Sequence, residues 1–127
     1  MARGTPGSLY SQVGVETGVA SATPHQLVAL LFDGFMEALA QARGAMRSGH
    51  REAKGLAIGR GVRIVEEGLR AGLDLNAGGT LARDLDELYT YLTMRLTLAH
   101  IRNDEAMLDE CQRLIQPLRE AWQSIGP

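Results

Sequence analysis

Three histidines and one cysteine, His25, His50, His100 and Cys111, are the side chains of this chain best suited to chemistry. A metal site needs His or Cys ligands at close helical or knuckle spacing. No two histidines stand three or four apart, and no Glu-x-x-His occurs, so the di-iron pattern of carboxylate bundles is absent. Phosphotransfer needs a reactive histidine exposed in mid-helix. His25 falls in a first helical turn, and His100 falls near a helix end, where packing or a hydrogen bond beside the next turn is the plainer role. Cys111 lies on an apolar stripe and reads as a small core residue, because a nucleophile needs a base within reach and nothing near it in sequence supplies one. "GRGVR" sits inside a helical pattern without the preceding strand of a phosphate loop, and "AGGT" reads as a turn. The residues therefore predict no catalysis, no metal and no cofactor. What remains is a binding module whose working part is apolar surface, which a helix bundle offers in the grooves between its helices.

The chain that must position such a surface has 127 residues, enough for one domain with a modest core. Apolar residues make up 45% and aromatics only 5%, so Leu, Val, Ile, Ala and Met must fill that core. A net charge of −2 argues against nucleic acid as the main partner. The signs are unevenly spread: Arg43 to Arg70 holds seven Lys/Arg against three Glu, whereas Asp74 onward holds nine Asp/Glu against five Arg. Oppositely biased helices packed side by side explain this, although a basic face also attracts an acidic partner. A single cysteine excludes an internal disulfide and fits a reducing compartment. With no signal-like start and no run of about 18 apolar residues, the expectation is a cytoplasmic protein without membrane insertion.

Apolar periodicity predicts four helices, at about 24–47, 51–75, 81–102 and 104–124, in a domain spanning 23–126. Thr23, Pro24 and Gln26 form a capping box with proline at the first position. The first helix carries two adjacent stripes, Leu27, Leu31, Gly34, Ala38 and Val28, Phe32, Phe35, Leu39. The second carries Ile58, Val62, Val65, Leu69, Leu73 beside Ala57, Gly61, Ile64, Gly68, Ala71. Its interior glycines each cost up to about 1 kcal/mol against alanine. Gly61 and Gly68, seven apart on one face, would admit another helix backbone; for Gly55 and Gly59 an exposed position with no packing role is an equal alternative. Thr80 is the expected cap of the third helix, with Leu81, Leu85, Leu88, Leu92 and Ala99 on its main face. Asn103 is the expected cap of the fourth, where Asp104 and Glu105 match the positive end of the dipole. Met107, Cys111, Leu114, Leu118 and Ile125 form that helix's stripe, Trp122 plugs the bundle end, and Pro117 should kink it. Short connections make the fold an all-α, antiparallel up-down four-helix bundle. Residues 1–22 precede it as an N-terminal arm, partly flexible, whose Leu9, Tyr10, Val13 and Val15 are apolar character with no core to join.

Several stretches together resemble the flagellar secretion chaperones, the cytoplasmic chaperones of flagellin: "SATPHQLVALLFDG", "GLRAGLD", "AGGTLARDLDELYTYL", "MRLTLAHIRND", the closing "LREAW" and the leading "LYSQVGVE". The resemblance runs along nearly the whole chain in order. It implies an antiparallel four-helix bundle and no catalysis. It implies binding of the disordered C-terminal segment of newly made flagellin, prevention of premature polymerisation, and delivery to the export gate of the flagellar type III apparatus. It also implies an N-terminal tyrosine segment that covers the client groove and moves aside; Tyr10 matches that tyrosine. The chain departs from the family pattern at His100, where Asn is frequent, and at Pro117, and Gly14 and Gly18 loosen its arm.

The candidate partner-binding residues are Tyr10 with Leu9, Val13 and Val15, rim positions Ile64 and Leu73 on the second helix, and Tyr89, Tyr91 and Arg95 on the third. Tyr89 and Tyr91 are two apart and face different directions, so one belongs at the core edge and the other at a groove. Arg95 is placed to pair with an acidic residue of the fourth helix or equally with a client carboxylate. Whether Tyr10 covers the groove or holds the client stays open. The alternative functions are a signalling or phosphotransfer bundle and a purely structural helical adaptor.

Overall fold

A computed structural model describes residues 21–126, and within them the chain forms four helices and no strand. Helix α1 spans Pro24–Ser48. Helix α2 opens as an α-helix over Arg51–Arg63 and continues as a π-helix over Ile64–Arg70. Helix α3 spans Gly79–Arg102 and α4 spans Glu105–Ile125. Each helix packs chiefly on two neighbours, α1 on α2 and α4, and α3 on α2 and α4. With short turns between consecutive helices, this is the expected up-down bundle.

The start of α1 forms as its sequence dictates. Thr23 Oγ1 accepts from Gln26 N at 3.1 Å while Gln26 Oε1 accepts from Thr23 N at 2.8 Å, closing the capping box. Its end is set by Gly49, which adopts φ +73° and returns its N–H to Ala45 and Met46. Both α1 stripes are buried along most of their length, with Phe35 at the centre of the core.

Three boundaries differ from the sequence expectation. Helix α2 ends at Arg70 and not near Leu75: Leu73 N donates to the Arg70 carbonyl at 3.1 Å in a closing turn, and Asp74 holds the loop that follows, its Oδ1 accepting from Asn76 N and Ala77 N and its carbonyl from Gly78 N at 2.7 Å. Thr80 is not the cap of α3. That helix starts two residues earlier, at Gly79 behind Gly78, with no side-chain cap, and the Thr80 hydroxyl accepts from Arg83 instead. Asn103 closes α3 in the left-handed region at φ 52°, and Asp104 caps α4 through Ala106 N. Asparagine suits both roles, but only one residue can occupy the αL position between two helices.

The core faces also need adjustment. On α3 the buried residues are Ala82, Tyr89, Leu92, Leu96 and Ala99, with Leu85 and Leu88 half-buried; Leu81 is exposed at the helix start. On α4 the buried stripe is Met107, Leu108, Cys111 and Ile115, with Leu114, Leu118 and Trp122 packed against its edge and Ile125 exposed. Pro117 stands at an exposed position, and helix continues on both sides of it. The nearest atoms to a Cβ placed on Gly61 are side-chain atoms, Leu96 Cδ1 at 3.4 Å and Ala38 Cβ at 3.6 Å, so this glycine admits neighbouring side chains and not a neighbouring backbone. Gly55 faces the His100 ring, whereas Gly59 faces open space.

The charge asymmetry resolves between helices. Arg43 of α1 pairs with Asp109 at 2.7 Å and Arg47 with Glu105, both acids on α4. Arg70 of α2 pairs with Asp86 of α3 at 2.6 Å. At the open ends of the bundle, α1 and α4 are tied by His25 and Trp122, whose rings stack at 5.0 Å.

Candidate partner-binding site

The two α3 tyrosines separate as their two-residue spacing requires. Tyr89 is 4% exposed and belongs to the core, where burial pushes its phenol up to about 12. Tyr91 is 36% exposed at the α3–α4 seam. Its hydroxyl donates to Glu110 Oε2 at 2.5 Å, and Arg95 Nε donates to Glu110 Oε1 at 2.7 Å. The Arg95 guanidinium also lies 5.8 Å from the centre of the Tyr91 ring. Of the two partners open to Arg95, the bundle itself provides the acidic residue of α4. Hydrogen bonds from Tyr91 and then Arg95 hold the Glu110 carboxyl below its ordinary value, and the same Glu110 bond raises the Tyr91 phenol.

Ile64 is 0% exposed, so the expected rim position is corrected: it lies in the core with Val65 and Leu69, on the face where Gly68 is also buried. Leu73 lies just beyond α2, half-buried against the core, in keeping with a rim. Leu9, Tyr10, Val13 and Val15 lie outside the described residues.

The surface holds apolar side chains that the main-stripe reading passes over. Met94 and Ile101 are exposed, Ile101 at 71%, and Leu98 is half-buried between them. With Tyr91 they stand at i, i+3, i+7 and i+10, one continuous outer face of α3. That spacing is readable in the sequence, but it competes there with the stronger Tyr89, Leu92, Leu96, Ala99 periodicity, and only burial shows which stripe faces inward. Leu56 on α2 is also exposed. Leu75, Leu81 and Ile125 are exposed at the end of the bundle where α2 ends, α3 begins and α4 ends.

The reactive-residue candidates fare as follows. Cys111 is free and fully buried, and burial pushes its thiol up to about 12, far from a nucleophilic thiolate. His25 Nε2 lies 2.7 Å from the Trp122 carbonyl; a carbonyl only accepts, so this nitrogen carries the proton and donates. His100 Nδ1 is buried without a hydrogen-bond partner. Neither is an open, mid-helix imidazole of the kind phosphotransfer needs. Among the described residues there is no group of three or more His, Cys, Asp or Glu positioned to hold a metal, and no helix long and apolar enough to cross a membrane.

The class is an all-α four-helix bundle, with a polar lock on the α3–α4 seam and an apolar stripe along the outer face of α3. The family model for flagellar protein FliS matches residues 7–127, and the chain belongs to that family. It is 45% identical over 118 residues to the flagellar secretion chaperone FliS of Salmonella typhimurium, covering 93% of this chain and 87% of that one. It is 44% identical over 117 residues to the flagellar secretion chaperone FliSB of Pseudomonas aeruginosa, covering 92% of each. The similarity extends to FliS of Bacillus subtilis, at 30% identity over 96% of this chain and 86% of that one. The family places the chain among the chaperones of flagellum biogenesis.

Proposed function

We propose that this protein is an export chaperone that binds the disordered C-terminal segment of flagellin in the cytoplasm. It keeps flagellin from polymerising early and presents it to the export gate of the flagellar type III apparatus. The observation that carries this reading is the apolar face of α3, Tyr91, Met94, Leu98 and Ile101, left open on a member of a secretion-chaperone family. A stripe at this spacing suits the apolar side of a client helix laid along it. Leu73, Leu75 and Leu81 add further apolar side chains around the α2–α3 turn. A disordered client loses about 2–5 kcal/mol or more of the gross interaction energy on ordering, which keeps a large interface releasable. The arm with Leu9, Tyr10, Val13 and Val15 acts on the same surface, and any fraction of time it covers that surface lowers apparent client affinity by that fraction.

Titration of the full chain with a flagellin C-terminal peptide in a calorimeter tests the proposal. A one-to-one complex with a negative heat-capacity change is expected. No heat and no co-elution at roughly tens of micromolar, a range where a useful chaperone complex must form, would sink it.

A further inference from the structure

Where the α1–α2 turn meets the end of α3, the bundle leaves a pocket of about 560 Å³. Four of its nine lining residues are basic, His50, Arg51, Lys54 and His100, and none is a carboxylate. Lys54 is the single buried charged residue among those described, at 6% exposure. Its ammonium donates to the His100 carbonyl at 3.0 Å and to Asn103 Oδ1 at 2.9 Å, leaving a third N–H without a partner among the described residues. No carboxylate answers its charge, and burying an ammonium without a counter-ion is costly.

The two acceptors belong to the closing turn of α3, whose dipole offsets part of that charge. The N-terminus of α2 opens on the same pocket and adds charge of the opposite sense. Its cap residue His50 makes no side-chain bond, so first-turn N–H groups stay open. The buried Nδ1 of His100 lacks a partner as well. The nearby acids are engaged elsewhere or face solvent: Asp104 caps Ala106 N, Glu105 pairs with Arg43 and Arg47, and Glu52 is exposed. Met46 and the exposed Ile101 give the same pocket an apolar wall.

We propose that this pocket binds a carboxylate, and that the carboxylate is the free C-terminal end of a peptide whose last side chain packs on Met46 and Ile101. An inorganic anion would use the cations and leave the apolar wall wet; a chain end uses both. That the chain end belongs to the chaperone's client rests on the function proposed above, whereas the anion site itself does not.

The test follows the imidazole resonances of His50 and His100 in the full chain by NMR. N-acetyl-leucine is expected to shift both saturably, the shift weakening with salt, while N-acetyl-leucinamide leaves them in place. Arg51→Gln, at the exposed rim, weakens the response several-fold; Lys54→Met abolishes it, and the rim variant carries the test if loss of the buried lysine unfolds the bundle. No response to N-acetyl-leucine, or an equal response to the amide, overturns the proposal. A response to inorganic phosphate alone overturns the peptide-end assignment. In the flagellin peptide titration, a free C-terminus is expected to bind about tenfold tighter than an amidated one, as one charge-assisted contact provides. Equal binding of the two peptides removes the client from the pocket and leaves the chaperone reading intact. Binding of N-acetyl-leucine with no binding of either peptide removes the flagellin reading and leaves the anion site standing.

Discussion

His25 and Trp122, 97 positions apart, bind each other twice: His25 Nε2 donates to the Trp122 carbonyl at 2.7 Å, and Trp122 Nε1 donates to the His25 carbonyl at 3.0 Å. Their rings lie within 9° of parallel. The pair closes the N-terminal turn of α1 onto the last turns of α4, at the bundle end where no covalent turn joins those helices. Replacing His25 with alanine removes the stack and the bond from Nε2. The expected cost is about 1–2 kcal/mol, a fall in Tm of roughly 4–9 °C for a domain of this size. Trp122 is the single tryptophan, so its emission should change in the same variant. An unchanged melting curve would show that the pair orders the helix ends without stabilising them.

Glu110 gives an acid dependence with a definite sign. Its carboxyl is held below the ordinary value of 4.5 by Tyr91 and Arg95. A depressed carboxylate contributes stability that is fully present above the unfolded-state value and is lost as pH falls through the folded-state value. Urea midpoints measured from pH 6 downward should therefore fall less steeply below about pH 4.5 in Glu110→Gln than in the natural chain. Parallel curves would mean that the Glu110 lock contributes nothing to folding.

The glycines divide by what surrounds them. A Cβ on Gly59 meets nothing within 4 Å, so Gly59→Ala should stabilise α2 by about 1 kcal/mol through helix propensity alone. A Cβ on Gly78 would stand 2.5 Å from Ala82 Cβ and 2.6 Å from the Asp74 carbonyl, so Gly78→Ala should destabilise the α2–α3 turn. Opposite shifts in Tm are the expected pair of results; a gain at both sites would mean that the turn yields without cost.

The proposed client surface is open to mutation without touching the core. Met94→Ser with Ile101→Ser should leave stability within about 0.5 kcal/mol, as exposed substitutions do, and weaken flagellin-peptide binding about tenfold or more by removing apolar contact area. Tyr10→Ala should change peptide affinity with the melting curve intact. A rise in affinity marks the arm as a cover and a fall marks it as part of the hold; no change in either would take the arm out of the function.

Much of this molecule is legible one dimension at a time. The capping box at Thr23 and the two stripes of α1 follow from spacing and type, because local hydrogen bonds and helical periodicity act over a few residues, and the uneven charge signs announce that basic residues of α1 and α2 meet acids of α4 and α3. The sequence also determined the bundle class, since four amphipathic helices with short connections have few ways to bury their faces. Three things were decided only in three dimensions. Asn103 closes α3 because Asp104 caps α4, a competition between neighbours that composition leaves even. Ile64 and Tyr89 went inward while Met94 and Ile101 stayed out, because which apolar stripe is buried depends on where the adjacent helices lie. Lys54 became a buried cation facing two histidines and an arginine only when the ends of α1, α2 and α3 met. Charge and burial at such a place are sums over residues distant in sequence, and only the packed bundle brings those residues together.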